Sequence, residues 1–459
     1  MQHVTYQSTN RTMVKEIFKF SIRRLIQTKI NGGIVLLFVA LAAMIIANSP
    51  LQEYYNILFS QNITLTIGSF NLFDRHDGNP MTLLDFINDA LMAIFFFSVG
   101  LEIKRELLVG ELSSPRKALL PVVAACGGMI VPVLLFYLIS QPGLVMRGAA
   151  IPMATDIAFS LGVLSLLGKK VPLSLKIFLT AFAVVDDIGG IIVIALFYSS
   201  HLTVEYLIAA MIIVALLYIG GRQGIHNKFF FISFGIIVWC LFINAGIHPT
   251  IAGVIVAFTV PARPKLHIYK YVNSIRESLK RLPENSNEII LSNSELSILK
   301  SIESASDKVV SPLQAMDDDL RTLVNYVVMP LFAFANASIS FEGFTLASLE
   351  GVSVTIFVSL VLGKLIGIFS FTYLFIKCGW LTMPDKMDMH SLFGVSLLGG
   401  IGFTVSLFIA TLSYAGMGTE GAMLLNQAKI GIIGGSLFAG LCGYFYLKYT
   451  LNKKTQKSL

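Results

Sequence analysis

The sequence predicts an all-α polytopic membrane protein, and three observations carry that class. Only 13% of its 459 residues are charged and 55% are hydrophobic, whereas a soluble globular chain carries roughly 25% charged residues. Apolar runs of roughly 20 residues, the length that spans a bilayer, recur along the chain. Lysine and arginine crowd every second connection between those runs. Mean hydropathy is +0.75. A soluble fold would need several separate cores inside a surface too poor in charge.

Twelve spans are predicted, near residues 31–50, 82–101, 118–139, 148–167, 174–198, 202–220, 228–245, 247–261, 322–340, 351–376, 390–413 and 421–447. Residues 1–30 are polar and basic, with no small-residue cleavage site before the first apolar run, which argues against a cleaved signal peptide. That tail carries Arg11, Lys15, Lys19, Arg23, Arg24 and Lys29. Basic residues recur at Lys104, Arg105, Arg116 and Lys117, at Lys169, Lys170 and Lys176, at Arg222 and Lys228, at Lys377 and Lys386, and after residue 447. The alternate connections hold only Arg75 and Arg147. Both termini are therefore expected in the cytoplasm. Nucleic acid is not an expected partner, because the net charge of +7 is explained by this loop asymmetry.

Two connections are longer than a turn. In 51–81 the stretch ITLTIGSFNL places strand-forming residues about Gly68 and Ser69. Either a β-hairpin or an irregular loop fits; a hairpin on the outer face could pair with a second copy, giving a homodimer. Residues 262–321 are the sizeable polar segment, with KYVNSIRESLKRL and ELSILKSIES at helical spacing. They are expected to form a cytoplasmic insert of one or two amphipathic helices between spans one to eight (31–261) and nine to twelve (322–447), with 448–459 as a cytoplasmic tail. Cys126, Cys240, Cys378 and Cys442 have no metal-type spacing and read as reduced packing residues.

Four ionisable residues fall near span centres: Asp156, Asp186, Asp187 and Lys364. A central Asp or Lys costs about 2.5–3.5 kcal/mol on insertion scales, so such residues face a cavity or one another and mark an ion or proton path. A purely structural salt bridge would leave two carboxylates over. Adjacent helical residues point about 100° apart; one aspartate of the pair can meet a cation on a neighbouring helix while the other lines the path. Lys364, alone in VTIFVSLVLGKLIGIFSF, is the deep cation available. A carboxylate so placed can hold either a proton or a small hard cation, which is what a proton-coupled cation carrier requires.

Two of the spans look interrupted. AAIPMATDIAFSLG sets Pro152, Thr155 and Asp156 mid-span, and GVSLLGGIGFTVSLF sets Gly394, Gly399, Gly400 and Gly402 mid-span. Proline removes a backbone donor and glycine lowers helix propensity by about 1 kcal/mol; close helix packing is the alternative explanation. They are the middle spans of 118–198 and 351–447, two groups of opposite orientation. Interrupted helices in corresponding positions of inverted-topology repeats point to a midplane ion site. An intramembrane aspartyl hydrolase is disfavoured, since its two aspartates must converge on one water.

The segments ATDIAFSLGVL, FAVVDDIGGIIVIALFY, AGIHPTIAGVIVAFTVP, MPLFAFANA, LGKLIGI and GGIGFTVSLFIA, with INDALMAIFFFSVGLEIKRELLVGEL, closely resemble the bacterial sodium/proton antiporters of the NhaA type, over roughly residues 25–450. The resemblance implies twelve inner-membrane helices with two broken helices crossing at the membrane midplane. It implies exchange of cytoplasmic Na⁺ or Li⁺ for more than one external H⁺, a transporter rather than an enzyme, with no cofactor. Carried over by motif, Asp187 is the main cation- and proton-binding carboxylate, Asp186 the partner of Lys364, and Asp156 and Thr155 lie at the crossing. GLEIKREL matches a cytoplasmic pH-response cluster, pointing to Glu102, Arg105 and Glu106; Asp317 is its expected acidic member, though Asp317, Asp318 and Asp319 leave the register open. Asp89 matches a family acidic residue, expected to be structural. Another cation/proton exchange, or sodium-coupled symport of an organic solute on a similar fold, is the alternative. The 262–321 insert departs from the family and leaves pH regulation open to difference.

Overall fold

A computed structural model describes residues 32–64, 66, 67, 70, 71, 80–199, 202–263, 268–280, 292–339, 351–384 and 387–457. The N-terminal basic residues, Arg75, Lys386 and the hairpin tip Gly68–Ser69 lie outside the described residues. Among those described, the regular structure is helical apart from bridge residues that include Asn62 paired with Thr82, and a two-residue antiparallel pair that sets Thr66 against Asn71 and Ile67 against Phe70. The stretch ITLTIGSFNL is therefore a hairpin rather than an irregular loop.

Among the described residues, seven helices are long and apolar enough to cross a bilayer: Leu83–Val109, Pro115–Ile139, Leu173–Phe197, Val204–Arg222, Lys228–Ala245, Val352–Lys377 and Gly418–Lys453. Three bent pairs meet the same test together, so the count rises to ten: Gly32–Ala47 with Gln52–Ser60 at 108°, Leu144–Met153 with Ile157–Ser165 at 43°, and Met389–Leu398 with Phe403–Tyr414 at 44°. A multi-pass membrane protein is the consequence. The expected span 31–50 ends at Asn48–Ser49–Pro50. The chain then turns sharply into an additional helix, Gln52–Ser60, pinned by the Tyr55 hydroxyl donating to the Phe334 carbonyl at 2.6 Å. Expected span 247–261 holds only the ten-residue helix Thr250–Thr259. Expected span 322–340 is the end of an unbroken helical run, in which Pro312–Leu323 passes through a π-helical turn, Val324–Val328, into Met329–Asn336. Within 262–321 the helices Ile268–Lys280 and Asn293–Val309 pack on each other.

Packing about the charged residues depends on backbone contact. Pro115–Ile139 stays helical through Pro121 and Pro132, so proline alone does not break a span here. Its Gly127 meets Gly367 of Val352–Lys377 so closely that a Cβ on either would strike the other's carbonyl oxygen. That contact lies one turn from Lys364 and fixes where the lysine sits. A π-helical turn, Ser359–Gly363, ends immediately before Lys364; such a turn inserts one residue and re-aims the side chains after it.

Candidate functional site

The two bent pairs near the aspartates satisfy one another's broken backbones. A helix end leaves four unpaired N–H or C=O groups, and burial makes each costly. Ala154–Asp156 runs extended between Leu144–Met153 and Ile157–Ser165, and Gly399–Gly402 separates Met389–Leu398 from Phe403–Tyr414. The Asp156 backbone N–H donates to the Ile401 carbonyl at 2.7 Å. The Thr155 hydroxyl donates to the Gly399 carbonyl at 2.9 Å and the Ser160 hydroxyl to that of Leu398 at 3.1 Å. In return the Ser406 hydroxyl donates to the Ile151 carbonyl at 2.8 Å. Glycine at 402 permits the approach, since a Cβ there would sit 3.0 Å from the Ala154 carbonyl oxygen.

Asp156 caps both half-helices. Its Oδ1 accepts from the Phe159 N–H at 2.9 Å, and its Oδ2 accepts from the Thr404 N–H at 3.2 Å and the Thr404 hydroxyl at 2.5 Å. One fully buried carboxylate thus faces two helix N-termini, where the macrodipole favours negative charge. Lys364 does not turn to the C-terminal carbonyls; it serves Asp186.

Leu173–Phe197 carries both adjacent aspartates, each buried. Asp186 Oδ2 accepts from Lys364 Nζ at 2.7 Å, with both side chains excluded from solvent, and the ammonium lies 5.6 Å from the centre of the Phe182 ring. Asp187 points elsewhere, and its Oδ2 has no hydrogen-bond partner among the described residues. The divergence expected of neighbours on a helix is present. Asp156 is committed to capping and Asp186 to Lys364, so no two aspartates share a hydrogen bond and the hydrolase arrangement is not formed.

A second charged group gathers Glu102, Arg105, Glu106 and Asp317. Arg105 reaches Asp317 Oδ2 at 2.5 Å, Glu106 Oε1 at 3.5 Å and Glu102 Oε1 at 3.6 Å. Arg321 joins them, 3.4 Å from Asp317 and 3.9 Å from Glu102. Sequence reading missed Arg321, although its place four residues after Asp317 on one helix was the available signal. The register of the three aspartates resolves: Asp317 is buried, while Asp319 is exposed and pairs with Lys228 at 2.5 Å. Burial pushes the Asp317 carboxyl above its ordinary 3.8, and the Arg105 and Arg321 guanidiniums pull it back down. Asp89 lies in the π-helical turn Ile87–Leu91, 3.9 Å from His248 Nε2. A cavity of about 320 Å³ between Leu83–Val109 and Lys228–Ala245, bordered by Phe86, Phe97, Phe231 and Trp239, has no acidic or basic lining residue and offers no ion route.

A multi-pass membrane protein with a charge-paired, solvent-excluded interior defines an ion-handling class, and comparison with known proteins gives the family. The chain matches the family model described as Na⁺/H⁺ antiporter 1 over residues 23–447, and it belongs to that family. Relatives include the Na⁺/H⁺ antiporter NhaA of Phocaeicola vulgatus, 54% identical over 441 residues, covering 95% of this chain and 97% of that relative. The protein of the same name from Bacteroides fragilis is 54% identical over 427 residues, covering 93% and 97%. That of Sulfurimonas denitrificans is 41% identical over 424 residues, covering 91% and 92%. These relatives are named as antiporters, which are transporters and not enzymes.

Proposed function

We propose that this protein expels cytoplasmic Na⁺, and also Li⁺, in exchange for external H⁺, with Asp187 as the carboxylate that alternately holds the cation and the proton. The observation that carries the reading is a pair of buried carboxylate oxygens without a hydrogen-bond partner among the described residues, Asp187 Oδ2 and Asp186 Oδ1; Asp186 is held through its other oxygen by Lys364, and Asp187 by no cation. A hard cation needs oxygen ligands, and Asp187, free of a protein cation, can supply one. Asp186 can offer its unpartnered oxygen as well, and a cation placed there competes with the Lys364 ammonium for the same carboxylate. Asp156 and Thr155 hold the broken helices together at the same depth.

Two proton-carrying groups for one Na⁺ make the exchange electrogenic: two H⁺ enter per Na⁺ expelled. One net charge per cycle is then worth about 2.3 kcal/mol per 100 mV of membrane potential. The architecture we favour has twelve spans, counting Thr250–Thr259 and the run ending at Asn336 with the ten above. Its inverted repeats cross their broken helices at the midplane of a bacterial inner membrane. Both termini are cytoplasmic, with 262–321 as a cytoplasmic insert, and the hairpin joins two copies into a dimer. Glu102, Arg105, Glu106 and Asp317 make the group that responds to pH on the cytoplasmic side.

The test is dissipation of ΔpH in everted vesicles on addition of Na⁺, Li⁺ or K⁺, repeated in liposomes with the potential clamped by valinomycin and K⁺. Na⁺ and Li⁺ should collapse ΔpH while K⁺ does not, and the clamp should speed turnover. Response to K⁺ alone would overturn the substrate. Indifference to the clamp would make the cycle electroneutral and reduce the Asp186–Lys364 pair to scaffold.

A further inference from the structure

Away from the aspartates, a small cavity of about 140 Å³ sits where the 3₁₀ turn Gly168–Lys170, which follows the half-helix Ile157–Ser165, meets the end of the last helix. Lys170 and Lys448 both line it, with Asn452, Tyr444, Leu166 and Leu167. Lys170 Nζ donates to Asn452 Oδ1 at 2.8 Å, which leaves the Asn452 amide N–H groups and the remaining ammonium protons as donors. Lys448 Nζ lies 5.5 Å from the centre of the Tyr444 ring. Among the described residues neither lysine forms a salt bridge with a carboxylate. The turn and the last helix therefore bring two ammoniums and an amide to one concavity with no acid paired to them among the described residues.

We infer that this concavity binds the phosphodiester headgroup of an anionic phospholipid. The chemistry asks for a compact anion with several acceptor oxygens, and a phosphodiester offers it to two point charges and an amide. The surroundings choose lipid over a soluble phosphate. Leu166 beside the lysines is 54% exposed, and on the last helix Phe445 and Tyr449 flank the site at 61% and 69% exposed. Such an apolar and aromatic border suits the boundary of hydrocarbon and headgroup. Basic pockets between spanning helices on the cytoplasmic side are suited to anionic headgroups, and the inference rests on the orientation proposed above in placing this end there.

The bound headgroup would brace the far end of the half-helix that Asp156 caps. It would tie it to the same last helix whose Ser436 hydroxyl accepts from the Phe403 N–H at 3.1 Å. The lipid would thus steady the frame of both half-helices without touching the aspartates.

Thermal unfolding of the purified full-length protein in a neutral detergent, titrated with phosphatidylglycerol or phosphatidylcholine, tests this. Phosphatidylglycerol should raise the melting temperature and phosphatidylcholine should not. In Lys170→Ala/Lys448→Ala the half-maximal phosphatidylglycerol concentration should rise roughly 30-fold, at the usual contribution of one basic residue near an anionic surface taken twice. Lys170→Arg/Lys448→Arg should respond like the native protein, and so should Arg116→Ala/Lys117→Ala, which removes equal exposed charge elsewhere. Should the double variant fail to purify, Lys170→Gln and Lys448→Gln, each weakening the response roughly fivefold, decide the matter. An unchanged titration in the alanine variants overturns the site, as does an equal loss in Arg116→Ala/Lys117→Ala. Inorganic phosphate reproducing the stabilisation would overturn the lipid as occupant. Melting is read rather than transport, so failure here leaves the antiport reading to the vesicle experiment.

Discussion

The two charged groups of this molecule each set three acids against fewer basic residues and balance them in opposite ways. In the interior one cation, Lys364, stands among three buried aspartates and pairs with Asp186 alone; around Arg105 three acids share two guanidiniums at the edge of the bundle. In the interior each charge is assigned a single task. Asp156 takes helix N-termini, Asp186 takes Lys364, and Asp187 is left over. At the edge the contacts are redundant, since Asp317 and Glu102 each see both arginines. A group with one partner per charge has a member to spare for a travelling ion. A group with several partners per charge absorbs the loss of one. The difference predicts large, specific effects inside and small, pH-graded effects outside.

The largest effect is expected at the left-over carboxylate. Asp187→Asn should reduce Na⁺-dependent ΔpH dissipation in everted vesicles to background, because an amide carries no proton and binds a cation weakly. Its melting temperature should not fall, since no protein hydrogen bond to Oδ2 is lost and a buried unpaired charge is removed. Near-normal antiport by this variant would end the reading of Asp187 as the exchanging group.

Lys364→Ala makes the converse change, removing the partner and leaving Asp186 buried. Breaking a buried pair on one side costs about 3–5 kcal/mol, seen as a lower melting temperature in detergent. Lys364→Ala/Asp186→Asn should recover most of it, because no charge is stranded. A single variant that melts like the native protein would show that the 2.7 Å contact contributes little.

Asp156→Ala should fall between these and the edge cluster. It orphans the Phe159 N–H and both Thr404 donors. A lost cap costs about 1 kcal/mol and a buried unpaired donor about 1–3 kcal/mol, so roughly 2–4 kcal/mol is expected. Asp156→Asn, which keeps an acceptor, should lose less than half as much; equal losses would argue that the negative charge, rather than the hydrogen bonds, holds the half-helices.

How far these contrasts were legible in the sequence depends on the range of the forces involved. Spans declared themselves through composition, and the pairing of Lys364 with one of the two adjacent aspartates was legible from the residues, whereas its assignment to Asp186 came with the family resemblance. The break at Ala154–Asp156 showed in Pro152, Thr155 and Asp156, and that at Gly399–Gly402 in its glycines. Thr404 as a second donor to Asp156 did not show, because that contact joins residues far apart in the chain and a threonine on an apolar helix has many possible partners. Arg321 escaped for a similar reason: its role depends on Leu83–Val109 lying beside Pro312–Leu323. The π-helical turns at 87–91, 324–328 and 359–363 leave no compositional mark, since one inserted residue keeps the apolar run apolar. Helix Gln52–Ser60 was missed because QEYYNILFS is amphipathic and comes just after Pro50, so it read as the start of a loop.

The smallest effect, and the one that most sharpens the comparison, is expected at Arg105. Removing it leaves Asp317 with Arg321 at 3.4 Å, so Arg105→Ala should cost only about 1 kcal/mol near neutral pH. Its signature is the pH dependence. Burial holds the folded-state carboxyl of Asp317 above its ordinary 3.8, and the two guanidiniums limit that rise. The protonated form is thus the one folding favours. That part of the stability is complete below the ordinary value and is lost as pH climbs through the raised one. Without Arg105 one of the two restraints goes, the folded value moves higher, and the loss continues to higher pH. The melting temperatures of native protein and Arg105→Ala should therefore nearly coincide at about pH 4 and separate progressively toward pH 7. In an Asp317→Asn background the separation should disappear, because the amide does not titrate. A gap that is constant with pH, or one that survives Asp317→Asn, would place the work of Arg105 with Glu102 and Glu106 instead.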